Sequence, residues 1–363
     1  MSLKVVISSD LEQKEWDDNL CLSKFSTIYQ SYNWQKLYKT AFGSKPFFII
    51  VKNNDKIVGQ LACLLHKKML LQDANIFSKQ IGNILNVASS LWWYHGPIIH
   101  DQNNYEEILT LILESVEKIA INHNVANIRG ISSPFFINFP IQVVKNFHYA
   151  IEPRLTFMID LDSDLDDLYA SLKKDTRYYI RKSELRGFEF KIADNIEDMK
   201  KFQDLKAESF KAEGKKPFRN MKFWKTHWEI LKKNGLEELI LAKDNNKIKG
   251  TIITLLFNGN TIQHALANSP GEYHIGTFLT WNTLKWLKKM NFHTFDFAGV
   301  DPNPKTNKEK GIFFYAEKFG GKKMEYYSFH KIVNRKKFYL TVGLKDPKRV
   351  GKKYISIFNN NTI

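Results

Sequence analysis

The sequence predicts an α/β fold built as two tandem copies of one unit, and three observations predict it. Residues 47–65 read FFIIVKNNDKIVGQLACLL and residues 239–257 read LILAKDNNKIKGTIITLLF, with Lys56-Ile57-Val58-Gly59 matching Lys247-Ile248-Lys249-Gly250 at a constant offset of 191. In each copy an apolar run meets Asn/Asp turn residues and a second apolar run follows, which is the pattern of a β-hairpin. Amphipathic helical segments precede both hairpins, and a helix followed by a short strand succeeds both.

Taken in order, SYNWQKLYKTAF places Trp34, Leu37, Tyr38 and Ala41 on one helical face ahead of the first hairpin. Residues 104–124 then form a helix that leads into the strand ANIRGI. A fresh strand, YAIEPRLTFMIDL, opens near 150–155 and marks the boundary. Residues 164–187 read as one long helix with an acidic start and a basic end, which suits the helix dipole. Two amphipathic helices follow, the first capped by Asp194 or Asn195 and the second ended by Gly235. After the second hairpin come a helix over 272–290 and the strand HTFDFAGV. The expected domains are 1–153, 154–334 and a basic tail over 335–363; the stretch from Lys331 to Lys353 carries nine Lys/Arg and one Asp.

Composition narrows the function. Basic residues outnumber acidic ones by 54 to 38, a net charge of +16, which suits an anionic partner such as nucleic acid, a phosphorylated substrate or an acidic membrane face. Two cysteines, Cys21 and Cys63, can form neither a disulfide framework nor a four-cysteine zinc site, so a reducing, cytoplasmic setting is expected. The N-terminus lacks the apolar core of a signal peptide, and runs such as IITLLF are far shorter than the roughly 20 residues that span a bilayer. No phosphate-binding P-loop, nucleophile elbow or zinc-protease helix occurs, and no pair of histidines has a metal spacing. No cofactor is expected, and no catalytic residue stands out.

Four stretches carry a family resemblance. They are YQSYNW at 29–34; LTFMIDL followed by Arg177-x-x-Ile180-Arg181 and Gly187; TFDFAGV at 294–300; and GIFFYAEKFGG at 311–321. In this order and spacing the chain resembles the Fem family of aminoacyltransferases, which build peptidoglycan interpeptide bridges, over nearly its whole length. The resemblance implies two tandem GNAT-like (acyl-CoA N-acyltransferase) domains. It implies transfer of an aminoacyl group from aminoacyl-tRNA to an amine of an anionic cell-envelope precursor, with peripheral contact at the inner membrane face. Such a donor ester is already activated, so alignment and oxyanion support suffice without a catalytic triad.

Carried over residue by residue, the resemblance implies that Arg219 grips the precursor. Tyr38 stands where the best-studied members have a precursor-binding lysine, with Lys36 and Lys39 beside it. On the donor side it implies Arg177, Arg181 and Tyr315. Ala316 replaces the family's lysine, and helical spacing turns Lys318 roughly 200° away from that position. On the family plan, Ala316→Lys would restore a charged contact to the donor. Two other readings remain: a GNAT-type N-acyltransferase using another donor such as acyl-CoA, and a non-catalytic envelope- or RNA-binding relative. The stretch SPGEYHIG at 269–276 lacks the glycine spacing of a CoA pyrophosphate loop, and Glu272 would face the phosphates.

Overall fold

The structure is a computed structural model that describes residues 3–67, 71, 74–84, 87–136, 138–212, 219–269 and 274–345. Glu272 and the basic tail beyond Lys345 lie outside the described residues. The chain divides into two units, Met1–Pro153 with Tyr326–Ile363, and Arg154–Glu325. Among the described residues no helix is long and apolar enough to cross a membrane.

In the first unit, β1 (Leu3–Ser8), β2 (Lys45–Asn53), β3 (Lys56–His66), β4 (Ser90–Trp92) and β6 (Asn127–Ile131) are hydrogen-bonded in that order, with β5 (Ile98–Ile99) also on β3. The returning chain, β13 (Lys322–Ile332), pairs its residues 328–332 antiparallel with β6. Helix α2 (Tyr32–Phe42) forms as the pattern predicts, with the Ser31 side chain accepting from Trp34 N and Gly43 closing it at φ 65°. Helix α4 (Tyr105–Asn122) buries Ile108, Ile112, Val116 and Ile119 in the core that also holds Ile49, Val51 and Leu61 of the hairpin.

The second unit repeats the plan. Its strands β8 (Glu189–Ile192), β9 (Glu237–Asp244), β10 (Lys247–Phe257), β11 (Asn260–Asn268) and β12 (Thr294–Asp296) are neighbours in that order, and β12 also pairs antiparallel with residues 158–160 of β7 (Ala150–Asp160). Helices α8 (Ile196–Ala212) and α9 (Met221–Ile230) precede the hairpin, and Asn195 caps α8 by accepting from Asp198 N. Helix α10 (Ile275–Lys289) buries Ile275, Phe278, Leu279 and Leu284 in the core shared with Ile240 and Ile252.

The two hairpins agree in register. Asn53 pairs with Lys56 and Asp244 with Lys247, and each hairpin then slips by one residue, leaving Val58 and Lys249 as the extra residues. These bulges stand at the offset seen in the sequence, immediately before Gly59 and Gly250. Both glycines serve a close helix approach: a Cβ on Gly59 would lie 2.4 Å from Ile108 of α4, and one on Gly250 3.0 Å from Ile275 and Leu279 of α10.

The predicted helix over 164–187 is two helices, α6 (Leu165–Ser171) and α7 (Lys174–Leu185). Leu172 and Lys173 are extended, at ψ 144° and 150°. Leu172 drops into the core, and Lys173 N donates to Lys318 O at 3.0 Å instead of continuing the helix. Charge pattern alone does not reveal a break that burial of one leucine imposes.

The parallel strands that follow each hairpin behave differently. In the first unit β4 pairs with β6, and the contact continues past Trp92 through Trp93 N to Arg129 O, Ile131 N to Trp93 O and Gly96 N to Ile131 O. In the second unit β11 and β12 pair only over Asn260–Ile262 and Thr294–Asp296, although β11 runs on to Asn268. The chain after β12 joins β7 instead, through Phe297 N to Phe157 O and Val300 N to Leu155 O. The second unit's parallel pair therefore parts where the first unit's stays zipped.

Gly59→Ala should destabilise the chain by roughly 1–3 kcal/mol, because the added methyl forces Ile108 off its rotamer. Gly250→Ala should cost less, since its contacts are longer. Thermal unfolding of both variants checks the order.

Candidate functional site

The parting of β11 from β12 in the second unit is fixed by a buried carboxylate. Asp296, at the end of β12, accepts from Thr156 Oγ1 at 2.5 Å and from Ala298 N at 2.9 Å, while Gly299 N donates to Thr156 Oγ1 at 3.0 Å. Burial pushes the Asp296 carboxyl up to about 6, against these hydrogen bonds, which favour the anion. Ala298 and Gly299 both have positive φ, 65° and 93°, so the chain turns sharply towards β7. On the other strand, Lys206 of α8 donates to Leu266 O at 3.1 Å, in the stretch where the ladder to β12 has ended.

At the start of α10 a second group of side chains converges. Tyr315 of α11 (Asn307–Glu317) donates to Gly276 O at 2.9 Å and shares a 2.5 Å hydrogen bond with Thr280 Oγ1. Lys318, just beyond α11, donates to Thr277 Oγ1 at 2.6 Å, and its ammonium lies over the rings of Tyr315 and Phe319. Burial pushes its pKa down to about 8, with Asp175 opposing the shift. The helical angle predicts that Lys318 points elsewhere. The helix ends at Glu317, however, and the long side chain folds back across Tyr315 to reach α10. Ala316 is 2% exposed, inside the core with Phe295 and Phe319. Restoring the family's lysine at 316 would therefore drive an ammonium into an aromatic core, not towards a donor.

A third group hangs from the opposite helices. The second slip in the hairpin sheet, between Ile253 and Thr254, leaves His264 as an extra residue on β11. Its Nε2 lies 2.9 Å from Arg219 Nη1. A guanidinium only donates, so Nε2 is the acceptor and the ring proton of neutral His264 sits on Nδ1. Arg219 also stacks over Phe223 at 4.4 Å and Trp224 at 5.8 Å. His264 in turn lies against His227 of α9, ring centres 5.3 Å apart and tilted by 23°, and His227 Nδ1 is 2.5 Å from Glu237 Oε2.

His227 and Glu237 are both fully buried. Burial lowers His227 well below its ordinary value, and Arg219 adds to this; burial raises Glu237 to about 8. The neutral pair is the cheaper one to bury, so protonated Glu237 donates to the Nδ1 lone pair of His227. Glu237 Oε1 has no hydrogen-bond partner among the described residues. Sequence spacing does not reveal this chain. Its only trace in the sequence is that a histidine and a glutamate both fall at strongly apolar positions.

The remaining predicted residues are dispersed. Arg177 donates through Nη1 to Ala170 O and Leu172 O at 2.8 and 2.7 Å, closing the end of α6, and Arg181 is exposed on α7. In the first unit Tyr38 is buried against Trp34, Phe42 and His66, while Lys36 and Lys39 are exposed on the other flank of α2. Among the described residues no group of three or more His, Cys, Asp or Glu could hold a metal ion.

Comparison with known proteins fits this geometry. Residues 170–306 match the family model of the acetyltransferase (GNAT) domain. A structure described as FemX superposes with a TM-score of 0.71 at 14% identity, covering 94% of this chain and 99% of that one. A tandem GNAT protein from the clavulanic acid biosynthesis pathway superposes with a TM-score of 0.57 at 10% identity, over 92% and 99% of the two chains. The chain has a Fem-like tandem GNAT fold. L-PGS from Bacillus licheniformis shares this fold more loosely, with a TM-score of 0.51 at 12% identity over 90% and 98% of the chains. No curated protein matches by sequence. The second GNAT-like unit is thus an acyltransferase domain, and it is the unit whose parallel strands part.

Two outcomes are expected. Ala316→Lys should destabilise the fold by roughly 3 kcal/mol or more, seen as a lowered melting temperature, because the new charge has no partner in that core. The second outcome concerns Glu237, whose ordinary value is 4.5. Above about pH 6.5 the unfolded Glu–His pair has released both protons while the folded pair keeps one. Stability should therefore fall from about pH 6.5 to 8, by at most about 1.4 kcal/mol per pH unit. Glu237→Gln should flatten that limb in melting curves taken across the range.

Proposed function

We propose that the chain transfers an aminoacyl group from aminoacyl-tRNA to an amine of an anionic cell-envelope precursor. The observation that carries this reading is the parted strand pair of the second unit, with Lys318 at the start of α10, its pKa pushed down to about 8. Parted parallel strands leave main-chain groups on β11 available to an extended acyl chain, the mode in which a sheet edge binds a peptide-like ligand. The acceptor amine attacks the ester carbonyl, the C–N bond forms as the C–O bond breaks, and the leaving ribose hydroxyl must gain a proton. A lysine with a pKa of about 8 is suited to supply that proton and to support the developing oxyanion. The amine's own proton passes to solvent.

Arg219 is the proposed grip on the acceptor's phosphate. A guanidinium held by His264 and stacked on Phe223 is presented in one orientation, which favours bidentate binding of an anion. Arg181, exposed on α7, is the proposed contact for the tRNA backbone; Arg177 and Tyr315 act as supports of the donor side, one closing α6 and the other clamping α10. The surplus of basic residues suits both anionic partners and a peripheral approach to an acidic membrane face.

The acetyltransferase description of the matched family favours a second reading, an acyl-CoA donor. The two are separated by incubating the full chain with radiolabelled aminoacyl-tRNA or with acetyl-CoA, in the presence of peptidoglycan-precursor peptides, and measuring label on the amine. Label from aminoacyl-tRNA is the expected result. Label from acetyl-CoA alone sinks the first reading, and label from neither favours a non-catalytic binding protein. Lys318→Met should cut transfer at least tenfold without weakening acceptor binding, and wild-type transfer should fall above about pH 8 as Lys318 loses its proton. Arg219→Ala should instead raise KM for the acceptor.

A further inference from the structure

The geometry points to Asn268 as the residue that reads the transferred acyl group. Its carboxamide fits a group with an N–H and a carbonyl on neighbouring carbons, as the α-amino and ester carbonyl of an aminoacyl donor are. This role rests on the transfer proposed for the second unit and adds what selects its donor.

Asn268 is the last residue of β11, at the end of the stretch that has lost its parallel neighbour. It is half-buried and pairs with Gly250 across the hairpin. Two glycines make room for its side chain. A Cβ on Gly250 would lie 2.9 Å from Asn268 Oδ1, and one on Gly276, in the first turn of α10, would lie 2.8 Å from Nδ2. The carboxamide therefore bridges strand and helix, and a methyl group on either side would press on it.

This wedged amide has no partner of its own. Among the described residues Oδ1 is buried without a hydrogen bond. The other atoms nearest the Gly250 position are Ile275 Cγ2 and Leu279 Cδ1, each at 3.0 Å, and neither can donate. A buried acceptor left in that state costs free energy until a donor arrives. Leucine would fill the same space without that cost, so position 268 holds a hydrogen-bonding group for something outside the chain.

Its neighbours are those of the proposed chemistry. Tyr315 OH would lie 3.6 Å from the same Cβ on Gly276 that Nδ2 approaches. The Lys318 ammonium lies over the Tyr315 ring and donates to Thr277, one residue further along α10. A donor whose leaving oxygen meets Lys318 thus brings its carbonyl to the turn of α10 that Asn268 touches. An aminoacyl group offers a carbonyl oxygen to Nδ2 and an α-amino N–H to Oδ1, which satisfies both ends of the amide at once. An acetyl group offers only the carbonyl and leaves Oδ1 unpaired, the circumstance in which a site rejects an analogue most strongly. As the acceptor amine attacks, Nδ2 also meets the charge growing on the carbonyl oxygen. Charge alone does not produce this preference, because the nearby Lys318 ammonium repels a cationic donor.

The test is calorimetric titration of the full chain with two stable probes, 3′-alanylamino-3′-deoxyadenosine and 3′-propionylamino-3′-deoxyadenosine. An amide replaces the reactive ester in both, and they differ only in the α-amino group. The alanyl probe should bind at least tenfold tighter than the propionyl probe. Asn268→Leu should erase that difference without lowering the melting temperature, because it removes a buried unpaired acceptor. Asn268→Asp keeps an acceptor and should keep the preference; its loss there would overturn the proposal even where the leucine variant does not fold. Equal binding of the two probes by the wild type, or saturable binding of neither, also overturns it. So does a preference that survives in Asn268→Leu, the result expected if ordered water alone serves Oδ1. Transfer from aminoacyl-tRNA by a chain that binds both probes equally would leave the proposed function standing and remove only Asn268 from it. A chain that prefers the alanyl probe yet transfers nothing would count against the proposed function alone.

Discussion

The hydrogen bond from Thr156 to the buried Asp296 carboxyl is the constraint on which the second unit's chemistry depends. It joins β7 to the end of β12, holds the turn through Ala298 and Gly299, and so commits the outgoing chain to β7. Once that chain pairs with β7, β11 loses its parallel neighbour after Ile262. In the first unit the outgoing chain also stays on its antiparallel neighbour, through Ser132 N to Tyr327 O, and there the parallel strands continue to exchange hydrogen bonds through Trp93 and Gly96. Two copies of one plan therefore differ in how far their parallel strands stay paired. Asp296 is also costly to bury, which its raised pKa of about 6 expresses, and that cost is accepted where strand direction has to be enforced.

A second constraint acts on the opposite face of the same sheet. Glu237 and His227 share one proton in a fully buried pair, His264 stacks on His227, and Arg219 hangs from His264. Each link removes one freedom from the next: Glu237 fixes the tautomer of His227, the ring stack limits His264, and the His264 acceptor orients the guanidinium. Burial and the neighbouring Arg219 charge both hold the two histidines neutral. The bulge that makes His264 an extra residue on β11 gives the ring its reach towards Arg219 without disturbing the pairing on either side.

Much of the fold was legible in the sequence, because period and turn chemistry are local properties. The echo between 47–65 and 239–257 extends to the same hairpin register and the same bulge, at Val58 and Lys249, since two-residue Asn/Asp turns of the same length followed by Lys-Ile-x-Gly set the same pairing. The two-signed stretch over 164–187 misled because charge placement follows helix ends, whereas the break at Leu172 follows the core. Site residues were less legible for a related reason. Tyr38 falls on the apolar stripe of α2 and is buried, while Lys36 and Lys39 occupy the flank that faces solvent. Periodicity says which face a residue takes, but not what waits on that face.

Lys318 shows where motif alignment and physics diverge. Alignment asks for a lysine at position 316, and the core there admits only a small apolar side chain: Ala316 packs among Phe295, Phe319 and their neighbours. A charge needed at the start of α10 can be delivered from elsewhere, provided its stem is long and its path is lined by rings. Lys318 meets both conditions, crossing Tyr315 and Phe319 to reach Thr277. Burial explains the depressed pKa, because it takes water from around the ammonium while Asp175 restores only part of the loss. Where the charge of Lys318 arrives follows from how the helix before it ends, and not from its residue number alone.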